Sequence, residues 1–73
     1  MPRGADHHDQ ARSTHDQAAA RHEQAAGFWR ARGDAEREAL ELRAARIERD
    51  LAELEADRAA LERRRPVPGG PIT

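Results

Sequence analysis

A four-residue motif occurs three times near the start of the chain, and each copy begins seven residues after the previous one. It begins at His8, His15 and His22, reading His-Asp-Gln-Ala twice and then His-Glu-Gln-Ala, and Trp29 occupies the position of a fourth histidine. A seven-residue period places the repeated residues along one side of an α-helix, where a second helix can pack. The repeat therefore predicts that this segment is a helix that pairs with another helix.

A second seven-residue column, made of large apolar residues, lies further along the chain. We predict that it is the side of a second helix that packs on the first. Together with the aromatic residue that ends the repeat, it gives the predicted helix-pairing residues Trp29, Leu40, Ile47, Leu51, Leu54 and Leu61. An acidic column with the same period lies beside it, at Glu41, Glu48, Glu55 and Glu62.

Residues that break helices divide the chain into three parts. Residues 1–5 contain proline and glycine and are expected to form a disordered lead, and the Pro/Gly-rich residues 66–73 a disordered tail. Residues 6–65 are expected to form a helical hairpin, with helix 1 at about 6–32 and helix 2 at about 34–65, ending before Pro66.

The helix boundaries rest on capping residues. Gly33 is typical of the position just past a helix C-terminus, and Asp34 is typical of an N-cap. Helix 1 has two candidate starts, because Asp6 can cap it early, whereas Thr14, with Gln17 three residues on, forms a capping-box pattern. The repeat already runs before the second candidate, so we favour the earlier start.

A reversal of the chain at its central glycine brings the two columns into step. Trp29 then lies opposite Leu40, and the histidines lie opposite the remaining members, with His22 at Ile47, His15 at Leu54 and His8 at Leu61. The alternative is one continuous helix bent at that glycine. Polar residues near the glycine would then interrupt its apolar side. We predict the all-α antiparallel two-helix hairpin, coiled-coil-like, which dimerises into a four-helix arrangement.

Length and charge restrict the classes of function. A chain of 73 residues buries only a small core and gains stability from association. Its 13 basic and 14 acidic residues are interleaved along the chain instead of being grouped by sign, which argues against a nucleic-acid or membrane-surface partner. The absence of cysteine excludes disulfides and thiolate metal sites. No stretch of the sequence is apolar enough for a secretory leader or a membrane span, so we expect a cytoplasmic protein.

The histidine column is the candidate site for metal or proton binding. His8, His15 and His22 are seven residues apart, whereas two ligands on one helix must be three or four residues apart to share an ion. We therefore expect no metal and no other cofactor, and histidines that pack at the rim of the helix pair. Contact between chains could still bring the imidazoles together, and an association that responds to metal or pH is the alternative.

Catalysis is not expected. Hydroxyl side chains are few, no glycine-rich loop is present, and a two-helix hairpin encloses no cleft that excludes water. We predict a non-enzymatic interaction or scaffold protein whose partner is itself, as a homodimer, or another helical protein, with no small-molecule substrate. On this hypothesis Ile47→Asp abolishes both helicity and association.

The segment from His15 to Ala45 also resembles a protein family. It contains His-Asp-Gln-Ala-Ala and His-Glu-Gln-Ala-Ala units, an aromatic pair, then Gly-Asp and a second alanine-rich stretch. These features are similar to those of small bacterial helical proteins, of uncharacterised function, with repeated His-x-x-Ala-Ala units. The resemblance implies a helical hairpin.

Overall fold

The computed structural model of the protein describes residues 4–65. Over this range the chain forms α1 (Gly4–Ala31) and α2 (Ala35–Arg64), which pack side by side and antiparallel, with no strand. The predicted all-α hairpin is confirmed. The alternative of one continuous helix is wrong, because the chain reverses at Gly33.

The reversal is a tight turn with a complete set of backbone hydrogen bonds. The Asp34 N–H donates to the Trp29 carbonyl and the Gly33 N–H donates to the Arg30 carbonyl, both at 3.0 Å. This is the Schellman pattern, in which the residue after the helix adopts a left-handed conformation, and Gly33 has φ +73°. The Asp34 side chain then accepts a hydrogen bond from the Arg37 N–H at 3.0 Å and caps α2.

Two glycine-to-alanine variants test the role of this turn. Gly33→Ala forces an L-residue into the left-handed region, and we expect it to lower the free energy of unfolding by about 1 kcal/mol. Gly27→Ala is the matched control, because Gly27 lies inside α1 with open space around it. It should raise the free energy of unfolding by roughly 0.5–1 kcal/mol, since alanine is the better helix former. Urea unfolding followed by circular dichroism measures both, and equal effects would contradict a special role for the turn.

The helix ends differ from the predicted ones in detail. α1 begins at Gly4, so residues 4 and 5 are helical and do not belong to a disordered lead, and Asp6 lies in the first turn of α1 and not at the predicted N-cap. Thr14 does not cap a helix start, because it lies inside α1 and its hydroxyl donates to the Gln10 carbonyl at 3.1 Å. The rest of the predicted lead, residues 1–3, and the predicted tail, residues 66–73, lie outside the described residues.

Alanine fills the space between the two helices. The buried apolar residues of the described part of the chain are Ala19, Ala26, Ala45, Ala52 and Ala59. No large side chain is fully buried there. Small side chains let two helix backbones approach closely, but each buries little apolar surface. The hairpin therefore closes on a narrow core of limited stabilising power.

The predicted packing of the leucine column against α1 is wrong. Leu40 and Ile47 are 63% and 52% exposed, and Leu51, Leu54 and Leu61 are exposed as well. Only Trp29 of the predicted helix-pairing residues is half-buried. The physical reason is that the side of α1 facing α2 carries histidines, whose ring nitrogens need hydrogen-bond partners that leucine cannot provide. Because Ile47 does not face α1, Ile47→Asp is expected to act on association and not on the helix pair of one chain.

Candidate functional site

A ladder of three histidine–glutamate contacts joins the helices where the leucines were expected. Nδ1 of each histidine lies within hydrogen-bond distance of a carboxylate on α2, at 2.7 Å for His22 with Glu41, 2.6 Å for His15 with Glu48 and 2.9 Å for His8 with Glu55. Nε2 of His8 also lies 3.5 Å from Glu62. The acidic column beside the leucines, and not the leucines, is therefore the partner of the repeat.

The ladder follows from two columns with the same seven-residue period. Each step of seven residues forward on α1 matches a step of seven backward on α2, as an antiparallel pair requires. A carboxylate only accepts hydrogen bonds, so the contact assigns the proton of each ring to Nδ1. At the same register Ala18 lies level with Ala45 and Ala11 with Ala52, so polar rungs alternate with alanine layers.

Glu55 is the most enclosed member of the ladder, at 8% exposure. Its carboxylate accepts hydrogen bonds from Arg58 at 3.1 Å and from His8 at 2.9 Å. The hydrogen bond from Arg58 is the largest influence and lowers the pKa of Glu55; the hydrogen bond and charge of His8 act in the same direction. Burial opposes them by disfavouring the charged form, but the pKa remains below its ordinary value.

This lowered pKa predicts how Glu55 contributes to stability in acid. An ionised carboxylate whose folded-state pKa is depressed stabilises the fold above its unfolded-state pKa of about 4.3, and this contribution is lost as the pH falls through the folded-state pKa. Glu55→Gln should therefore be less stable than the wild type at neutral pH, and the difference should shrink in acid. Glu53→Gln, at an exposed position of the same helix, is the control. A difference between Glu55→Gln and wild type that is constant with pH would contradict this role.

Ion pairs cover one side of the hairpin. Arg49 lies 3.2 Å from Asp16 and 3.0 Å from Glu23, and Arg63 pairs with Asp9. The acidic partners are the second residues of the three repeats, and they raise the pKa of both arginines through hydrogen bonds and charge. We call this side, with Asp9, Asp16, Glu23, Arg49 and Arg63, the charged face. An open depression on it is lined by paired, exposed side chains and does not form an enclosed cleft.

The leucine column forms a separate side of α2. We call Leu40, Ile47, Leu51, Leu54 and Leu61 the leucine face. Each of them immediately precedes a residue that faces α1, whereas Arg49 and Arg63 immediately follow one, and successive helix residues are rotated by about 100°. The leucine face and the charged face therefore lie on opposite sides of the helix pair. The leucine face is the largest set of exposed apolar side chains in the described chain.

Arginines cover the aromatic pair at the turn. The Arg32 guanidinium lies 3.4 Å from the ring centroid of Phe28, which is 46% exposed. The Arg37 guanidinium lies 4.7 Å from the ring of Trp29, and the two aromatic rings meet edge to face at 4.9 Å. These contacts shield the aromatic faces and strengthen the turn end of the hairpin.

The structure and the comparisons add three observations on candidate sites. In residues 4–65 no group of three or more histidine, aspartate or glutamate side chains is arranged to hold a metal ion, and His8, His15 and His22 each face glutamate instead of one another.

Neither helix of this range is long and apolar enough to cross a membrane. Comparison with models of known families, with characterised proteins and with solved structures finds no match.

The glutamates of the ladder are the partners of the histidines that the sequence analysis did not assign. A signal for them was present, because the acidic column has the same period as the histidine column. Among the columns of α2, the leucines have the highest apolar content, whereas only the glutamates supply the hydrogen bonds that histidine requires. The resemblance to helical proteins with His-x-x-Ala-Ala units stays a prediction.

Proposed function

We propose that this hairpin is a non-enzymatic helical interaction module that binds a second copy of itself through the leucine face. The ladder and the alanine core close each chain and leave the leucine face free. Association of two hairpins then gives a four-helix arrangement. The observation that carries the proposal is the exposure of five leucine and isoleucine side chains, between 37% and 63%, along one side of α2.

The spacing of the leucine face supports helix pairing as its use. With Ala44 and Arg58 at the alternate positions, it repeats every four and then three residues along α2, the pattern of a helix that packs on another helix. It is rotated by about 100° from the side that contacts α1. Adjacent neighbours in a four-helix bundle lie at a similar angle around each helix, so one side can contact α1 and the other a second hairpin.

The small core of the single hairpin favours a second copy as the partner. No large side chain is fully buried in the described chain, and five of its seven exposed large apolar side chains lie on the leucine face. Covering the exposed half of each leucine side chain contributes about 1 kcal/mol to association. Because each copy contributes its own leucine face, the dimer gains this free energy from both chains. Small chains of this size commonly gain stability by oligomerising.

Sedimentation of the full chain across a range of concentrations tests the proposal. We expect a monomer–dimer equilibrium in which the mass rises to that of two chains. A single-chain mass up to millimolar concentration, with the helices intact by circular dichroism, would contradict it.

The histidine ladder supports a second candidate, an association that responds to protonation or metal. All three histidines contact carboxylates across the helix pair of one chain, so their protonation changes contacts that hold α1 to α2. A response would therefore act first on closure of the hairpin and only through it on association. Helical content and sedimentation measured together, with and without added zinc, distinguish an effect on closure of the hairpin from an effect on association.

A further inference from the structure

We propose that two hairpins associate with their α2 helices antiparallel and fully overlapped, in a register set by the charged residues beside the leucine face. This inference rests on the proposed function and adds the orientation and register of the second copy. The charges in question form one column on the side of the leucine face away from α1, and we call it the outer column: Glu36, Arg43, Asp50, Asp57 and Arg64.

The outer column is available for contact with a second chain. All its members are exposed, and within residues 4–65 none of them forms an ion pair. The charge column on the other side of the leucine face consists of the four glutamates that face α1. Three of them accept hydrogen bonds from histidine, and the fourth, Glu62, lies 3.5 Å from Nε2 of His8. The outer column is therefore the one whose charges can pair with a second copy and set its orientation.

Its order of charges matches an antiparallel copy of itself. In an antiparallel helix pair, a column on one side of the contact faces the same column of the other helix. With the two α2 helices overlapped from end to end, Arg43 lies beside Asp57 of the second copy, and Glu36 lies beside Arg64 of the second copy. By symmetry each attractive pair occurs twice. Only Asp50, beside the two-fold axis, faces a like charge.

A parallel pair fits the same charges poorly. There the outer column faces the glutamate column of the other helix, five residues further along. Three of the four resulting contacts join two carboxylates, for example Asp57 with Glu62 of the second copy, and only Arg43 meets an opposite charge. Electrostatics of flanking residues are known to set helix orientation, and here they favour the antiparallel arrangement.

The contacts between the leucine faces agree with this register. Full antiparallel overlap places Ala44 against Leu54 of the second copy, small against large, and Leu51 against Ile47 of the second copy. Arg58, the one charged residue in the column, then lies against Leu40 of the second copy. Its aliphatic stem can pack there while its guanidinium stays with Glu55 at 3.1 Å. In a parallel pair Arg58 would face its own copy, cation against cation.

Charge exchange between two positions tests the orientation in the full chain. Arg43→Asp and Asp57→Arg should each weaken the dimer roughly tenfold, because each turns two attractive contacts into repulsive ones. The double variant within one chain should restore the wild-type dissociation constant. A mixture of the two single variants should form a heterodimer, since each then meets opposite charges. At about 1 M salt these differences should largely disappear, because charges at the surface are screened.

The single variant Asp57→Arg separates the two orientations. A parallel dimer would lose a carboxylate–carboxylate contact with Glu62 and become tighter, and a tighter or unchanged dissociation constant overturns the antiparallel register while leaving the proposed function standing. A wild-type chain that stays monomeric overturns both. Circular dichroism of each variant should match the wild type, because both residues are exposed and neither forms an ion pair with α1 in the described chain.

Discussion

Leu54→Asp is expected to abolish association while leaving the hairpin closed. The residue is 43% exposed on the leucine face and does not belong to the histidine–glutamate ladder. In the proposed dimer it is covered by the second copy, so the substitution removes apolar contact and places an unpaired carboxylate in the interface twice. We expect the dissociation constant to rise on the order of 100-fold or more, measured by sedimentation.

Leu42→Asp is the matched control for this variant. Leu42 lies on the same helix and is 46% exposed, nearly the same as Leu54. It follows Glu41, and its seven-residue column contains Arg49 and Arg63, so it lies on the side of the charged face. The same chemical change there should leave the dissociation constant within a fewfold of wild type. Equal loss of association in both variants would show that the effect is general to charge on α2 and not specific to the leucine face.

Ala19→Leu is expected to open the hairpin itself. Ala19 is 0% exposed between the helices, and the larger side chain forces the two backbones apart. Overpacking of this kind costs about 1–3 kcal/mol, a large part of the stability of so small a domain. The shift also lengthens the neighbouring histidine–glutamate contacts. Urea unfolding at one fixed protein concentration, followed by circular dichroism, should show a clear loss of stability.

The adjacent residue supplies the control for overpacking. Ala20 is exposed, and Ala20→Leu makes the same addition to the helix without entering the contact between α1 and α2. A surface substitution of this kind changes stability by about 0.5 kcal/mol or less. If Ala19→Leu were as stable as Ala20→Leu, the alanine layer could not be the close contact that holds the helices together.

The turn and the helix pair were predictable because local chemistry determines them. Only glycine readily adopts the left-handed conformation that ends α1, and Asp34 supplies the next cap within one residue. The seven-residue repeat likewise predicts a helix that offers one side to a partner. These features depend on neighbours in the sequence, so the hairpin follows from them without knowledge of the packing.

The face of α2 that contacts α1 was not predicted correctly, because α2 carries two columns of equal period shifted by one residue. A leucine column and a glutamate column both repeat every seven residues, and apolar size alone selects the first. The deciding quantity is hydrogen bonding: His15 against leucine leaves ring nitrogens without a partner, whereas against Glu48 it forms a bond of 2.6 Å. Complementarity between the two helices, and not the pattern of either alone, selects the face.

The ion pairs of the charged face depend on the same choice of face. The acidic residues that follow each histidine of the repeat meet arginines only once the glutamate column faces α1. With the leucine column inside, Arg49 and Arg63 would lie further around the helix from those partners. The sequence contains the charges, but their pairing depends on the rotation of α2, which the turn does not determine.

The most direct test of this account is to identify the α2 residues that contact the histidine rings within one chain. Nuclear Overhauser effects recorded on a mixture of labelled and unlabelled chains separate contacts within a chain from those between chains. We expect the ring of His15 to show effects to Glu48, and that of His22 to Glu41, in one chain. Effects from these rings to the methyl groups of Leu54 and Ile47 of the same chain would contradict it, because the leucine face would then lie inside the hairpin.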